Sequence, residues 1–122
     1  MSTLKVTNIQ ATGETASRAV SGVAAAWSNH NPSVGSIRDS FNISSITDLS
    51  AAADTLSFSS AMSSANYGVS GTANGSTSGI NVGRFLCPYN YSNSSITAVT
   101  QSANNSASSS PLANLSVHGD LA

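Results

Sequence analysis

Apolar and polar positions alternate along the middle of this chain. Ile37, Phe41 and Ile43 share one parity, with Arg38, Ser40, Asn42 and Ser44 on the other. Leu56 and Phe58 alternate with Ser57 and Ser59, and Tyr67 and Val69 with Gly68 and Ser70. Period-two alternation places one face of a strand on a core and the other toward solvent or a neighbour. Residues 47–50 and 63–66 are rich in turn formers and separate these runs, so residues 37–73 read as a three-stranded meander. Phe41 is predicted on the core face.

The flanks extend this reading. Leu4, Val6 and Ile9 mark a short strand or extended arm, followed by a turn at Thr12 and Gly13. Ala16, Val20, Val23 and Trp27 fit helical spacing, but Gly22 interrupts it; Trp27 is expected in the core. His30, Asn31, Pro32 and Ser33 read as a loop, Pro32 biasing Asn31 toward extended geometry. After the meander come a loop at 73–79 and a strand around Ile80, Val82 and Phe85, with Arg84 nominally inward. A loop at 87–94 carries Tyr89 and Tyr91. A strand follows at 96–101, with Ile96 and Ala98 opposing Val99, then a polar loop at 102–111 and a closing strand at 112–118. About seven short antiparallel strands with polar turns predict an all-β chain, a single small β-sandwich or open barrel. The expected division is an N-terminal docking arm at 1–12 and a sandwich domain at 13–122.

The wording of the meander resembles a segment of small tail-fibre and virion structural proteins of tailed bacteriophages, marine ones especially. The residues that carry the likeness are Arg38-Asp-Ser-Phe-Asn-Ile-Ser-Ser-Ile-Thr-Asp48 and Ser64-Ala-Asn-Tyr67. The opening Met1-Ser-Thr-Leu-Lys-Val-Thr-Asn-Ile9, the Ala25-Ala-Trp27 step and the closing Leu115-Ser-Val-His-Gly-Asp120 are also similar, so the likeness spans nearly the whole chain. It departs at residues 48–54, where that family usually has a Gly-rich loop. The resemblance implies a virion component, assembled in the host cytoplasm, that trimerises and meets other virion proteins. It implies no catalytic residues and no cofactor.

Composition changes the picture in one respect. The 122 residues include only four basic and five acidic side chains, for a net charge of −1. Ordinary soluble domains carry about a quarter charged residues. Little charge means little repulsion between copies, and few large apolar residues mean a thin core, so burial between subunits is expected to supplement it. Lys5, Arg18, Arg38 and Arg84 are scattered, which argues against a nucleic-acid partner. No apolar run approaches the roughly 20 residues needed to span a bilayer, and no signal-peptide pattern opens the chain. Cys87 is the single cysteine and reads as an inert, buried thiol.

Candidate chemistry is sparse. His30 and His118 lie among many serines, but no Gly-x-Ser-x-Gly elbow accompanies them, so catalytic residues are not expected. Two histidines and one cysteine lack the close spacing of a metal site, although copies of His30 or His118 around a symmetry axis would offer ligands. Asp48 and Asp54 flank a turn without the dense oxygen ligands of a calcium loop, and read as solvated. The glycines at 71, 75 and 79 precede no Gly-Lys-Ser/Thr, and the Asn-x-Ser/Thr sequons follow from Ser and Asn abundance. Tyr89 and Tyr91 are the candidate receptor or subunit contacts, because tyrosine offers rigid contact area and one hydroxyl. Leu4, Val6 and Ile9 are the candidate virion-anchoring residues, since a short arm could add a strand to an edge elsewhere. Three functions are expected in order: a tail-fibre or spike component that displays loops for host attachment, a capsid decoration protein, and, last, a small hydrolase.

Overall fold

The computed structural model describes residues 5–6, 8–9, 18–19, 24–78 and 83–122. A two-residue ladder pairs β1 (Asn8–Ile9) with β2 (Arg18–Ala19). Eight longer strands follow: β3 (Ala24–Asn31), β4 (Ser36–Phe41), β5 (Ile43–Ser50), β6 (Ala53–Phe58), β7 (Gly68–Asn74), β8 (Arg84–Tyr89), β9 (Ser95–Ser102) and β10 (Leu112–His118). They form two four-stranded antiparallel sheets, β4-β3-β10-β7 and β5-β6-β9-β8, and no helix occurs among the described residues. The all-β, sandwich-like expectation holds. The strands at 96–101 and 112–118 stand within a residue of where the alternation puts them.

The chain passes between sheets rather than running as a meander. The steps β6 to β7 and β9 to β10 both cross from the second sheet to the first, and they cross side by side, because β6 neighbours β9 and β7 neighbours β10. Of the expected meander only the β5–β6 hairpin is a paired neighbour. The run at 37–44 is two strands in different sheets. Asn42 turns the corner between them with φ +56°, a left-handed conformation that asparagine tolerates better than most residues. Its side chain fastens the corner: Nδ2 donates to the carbonyls of Ala25 (3.0 Å) and Ser60 (3.1 Å), and Oδ1 accepts the Ser60 amide at 2.7 Å.

This corner and a bulge overturn two core assignments. Between Asn29↔Asp39 and His30↔Ile37 the register skips Arg38. One extra residue reverses which side chains face inward beyond it. Phe41 is therefore 52% exposed and pairs with Trp27, itself 37% exposed, on the outer face of the first sheet. The residues of β3 that are buried in alternation are Ala26, Ser28 and His30, and β3 runs through His30 and Asn31, which the sequence suggested as a loop.

The core lies between the sheets. Leu56, Phe58 and Ile96 from the second sheet meet Ala26, Leu115 and Val117 from the first, with Met62 and Tyr67 closing one end. The Tyr67 hydroxyl donates to the carbonyls of Ser92 (3.0 Å) and Ser95 (2.9 Å), and its ring meets Phe58 edge-on at 5.9 Å. Burial pushes the Tyr67 phenol pKa upward. The loop at 102–111 is tied back to the sheets: Thr100 Oγ1 donates to Ser108 O at 2.7 Å and the buried Ser110 to Asn74 O at 2.6 Å.

At Gly71 on β7 the first sheet comes close to Leu86 of the second. A Cβ there would collide with the Asn114 carbonyl and with the Leu86 side chain across the interior. Gly71→Ala is expected to destabilise the protein by about 1–3 kcal/mol through overpacking. Denaturant unfolding measures it, and an unchanged midpoint would show that the sheets part freely at this edge.

Candidate binding groove

The alternation that buries Ala26 and Leu115 sends their neighbours to the outer face of the first sheet. Strand register aligns these neighbours in two rows. One runs Phe41, Trp27, Ser116, Ser70 across β4, β3, β10 and β7; the other runs Asp39, Asn29, Asn114, Thr72. Over this face lies a groove of about 690 Å³, lined by residues of both rows and by Arg38. Its size is that of a small-molecule site.

The groove is close to neutral. Arg38 is the bulged residue, and its guanidinium is occupied by the carbonyls of His30 (2.9 Å) and Pro111 and by Asn29 Oδ1 (3.3 Å). Asp39 accepts the Ser40 amide at 2.9 Å. Asn114 Nδ2 donates to Thr72 Oγ1 at 3.5 Å, a long bond that leaves both groups ready to exchange partners. Ser116 Oγ lies 3.1 Å from His118 Nε2 at one end. Nothing in the sequence singled out this face, because each row joins the β3–β4 hairpin to β10 and β7, which lie far from it along the chain.

The other polar clusters have structural roles. Ser28 Oγ lies 3.0 Å from Nδ1 of the buried His30. Burial, and then the positive charge of Arg38, lower the His30 pKa to about 4, so the ring is neutral at pH 7. Asp54 is not solvated: it is 0% exposed, and neither carboxyl oxygen has a hydrogen-bond partner. Its cross-strand neighbour is Asp48. Burial, and then the charge of Asp48, raise the Asp54 pKa to about 7. Among the described residues no three His, Cys, Asp or Glu side chains gather as metal ligands. Cys87 is half-buried, and its thiol donates to Gln101 Oε1 at 3.1 Å.

Tyr89 and Tyr91 are exposed but do not share a surface role. Tyr89 ends β8 opposite Thr97 and shares the outer face of the second sheet with Cys87 and Phe85. Tyr91 packs on Tyr67 at 5.2 Å and so belongs partly to its own fold. Of the expected anchoring residues, Val6 is exposed, Ile9 pairs with Arg18 in the β1–β2 ladder, and Leu4 lies outside the described residues, as does most of the expected arm. Among the described residues no helix is long and apolar enough to cross a membrane. Comparison with family models, with curated proteins and with solved structures gave no match to this chain.

Proposed function

We propose that the chain is a structural component of a phage particle, a small tail-fibre or spike module that presents a binding face for host attachment. The observation that carries this reading is the outer face of the first sheet, where the exposed Trp27 and a row of polar side chains border a groove. Such a face suits recognition rather than chemistry. The thin core supports a homotrimer: apart from Leu56, Met62, Ile96 and Val117, the fully buried side chains are small or polar, while Phe85, Tyr89 and Leu49 remain exposed. Phe85 and Tyr89 offer a subunit contact on the outer face of the second sheet. The remaining partners are other virion proteins, met through the N-terminal arm, and a host surface receptor. Capsid decoration is the alternative place for the same fold.

The test is to remove residues 2–10 and to locate the full-length protein on particles by immunogold labelling. The truncated protein is expected to remain a folded oligomer that fails to join particles, and the label is expected at the tail. Normal incorporation of the truncated protein would sink the anchoring role, a label on the head would move the protein to the decoration class, and a folded monomer in analytical ultracentrifugation would reject the trimer.

A further inference from the structure

We propose that the groove on the first sheet binds a neutral oligosaccharide, with Trp27 as the stacking platform and Asn29, Asp39, Asn114 and Thr72 as the hydroxyl-reading row. The inference rests on the attachment reading for its biological setting, but its chemistry stands on the face itself. A sugar ring has an apolar C–H face and a rim of hydroxyls. The face opposite offers both complements in register. Trp27 and Phe41 are cross-strand neighbours at one end of the first row, and Ser116 and Ser70 continue it. One step along the strands, roughly 7 Å away, the second row provides one carboxylate, two amides and a hydroxyl. An amide both donates and accepts, a hydroxyl does the same, and a carboxylate accepts from two adjacent hydroxyls. Three inter-strand spacings make the face roughly 14 Å wide, room for two to three pyranose rings.

Other ligand classes fit less well. An anionic ligand needs a free cation, and among the described residues the cationic side chain that lines the groove is Arg38, which already donates to two backbone carbonyls and an amide oxygen. An extended peptide gains its main-chain hydrogen bonds at a sheet edge, not on a face. A second copy of the chain is disfavoured by shape, since one groove laid on its own symmetry mate leaves a void where close packing is required.

Trp27 is the only tryptophan in the chain, so its emission reports directly on this face. The experiment titrates the full-length protein with neutral di- to tetrasaccharides of hexose and N-acetylhexosamine units, and with sulfated and sialylated counterparts, following tryptophan fluorescence and calorimetric heat. A saturable change in emission with neutral sugars is expected. Asn114→Ala is expected to weaken the preferred sugar about tenfold with an unchanged unfolding midpoint, because Asn114 is exposed. Trp27→Ala should abolish binding by calorimetry, and Trp27→Phe should restore part of it. Absence of binding to every neutral sugar by the folded protein overturns the proposal. So does a preference for the sulfated or sialylated set, or conversion of an oligomer to monomers by Trp27→Ala, which would assign the face to contacts between copies. The two readings fail separately: particle-bound protein that binds no sugar removes this inference alone, and a sugar-binding protein absent from particles removes the virion reading alone.

Discussion

Asn42→Ala is expected to lower stability by about 2–4 kcal/mol, whereas the neighbouring Phe41→Ala stays within about 1 kcal/mol. The order is the reverse of what the apolar alternation suggests. Phe41 is half exposed and opposite Trp27, so truncation leaves no interior cavity. Asn42 holds the chain at φ +56° where it leaves one sheet for the other. Alanine there loses about 1–2 kcal/mol to backbone strain. It also leaves the Ala25 carbonyl, the Ser60 carbonyl and the Ser60 amide without their partner. Asn42→Gly separates the two effects, because glycine accepts the dihedral but not the hydrogen bonds, and it should recover roughly half of the loss. Urea unfolding of the three variants decides the matter. A larger loss for Phe41→Ala than for Asn42→Ala would return Phe41 to an interior and contradict the corner.

Asp54→Asn is expected to stabilise the protein by about 2–4 kcal/mol at pH 8 and to leave it nearly unchanged at pH 4. Asp54 has a native pKa of about 7 against an ordinary 3.8. The native state therefore holds this proton more tightly than the unfolded chain. Stability from this group is complete below pH 4 and is lost as pH rises through 7, by up to about 4 kcal/mol for a shift of three pH units. Asp48 is the charged neighbour that adds to the cost. Asparagine has no charge to bury and so removes the slope. His30 acts in the opposite sense. Its native pKa of about 4 lies below the ordinary 6.5, so its contribution is present above pH 6.5 and is lost as pH falls through 4. In the wild-type protein the two slopes oppose each other between about pH 4 and 6.5, giving a nearly flat profile. In Asp54→Asn only the His30 slope remains, and stability should climb across that window. Unfolding free energies at half-unit pH steps test this, and parallel profiles for the two proteins would show that Asp54 is not buried as a carboxylic acid.

How much of this was legible in the chain depends on the range of the interaction concerned. The existence of strands is a local matter. Ile96 and Ala98 alternate with Thr97 and Val99 whatever lies beside them, and the polar run at 102–111 ends where Leu112 begins β10. The small charge and scarce large apolar residues likewise foretold a core in which Ala26, Ala98 and Ala113 take positions that larger side chains fill elsewhere. Hydrophobicity misled where the inward positions are not apolar. In β3 the interior receives Ser28 and His30 while Trp27 faces out, so a rule that sends the largest apolar residue inward chose the wrong face. Asp54 reversed the same rule in the other direction: it looked like a turn residue in water and is wholly buried.

The candidate groove was not legible at all. Its two rows take Phe41 and Asp39 from β4, Trp27 and Asn29 from β3, Ser116 and Asn114 from β10, and Ser70 and Thr72 from β7. Period and turn chemistry determined that this chain is all-β, where most strands lie, and that its core is small, because those properties follow from each residue and its nearest neighbours. Which face of a strand is inward, which strands share a sheet and which side chains stand in line were decided by the bulge at Arg38, the corner at Asn42 and the paired crossovers. The corner and the crossovers depend on hydrogen bonds and packing between segments far apart in sequence, which no local pattern encodes, and the bulge on a cross-strand register that the alternation alone does not reveal.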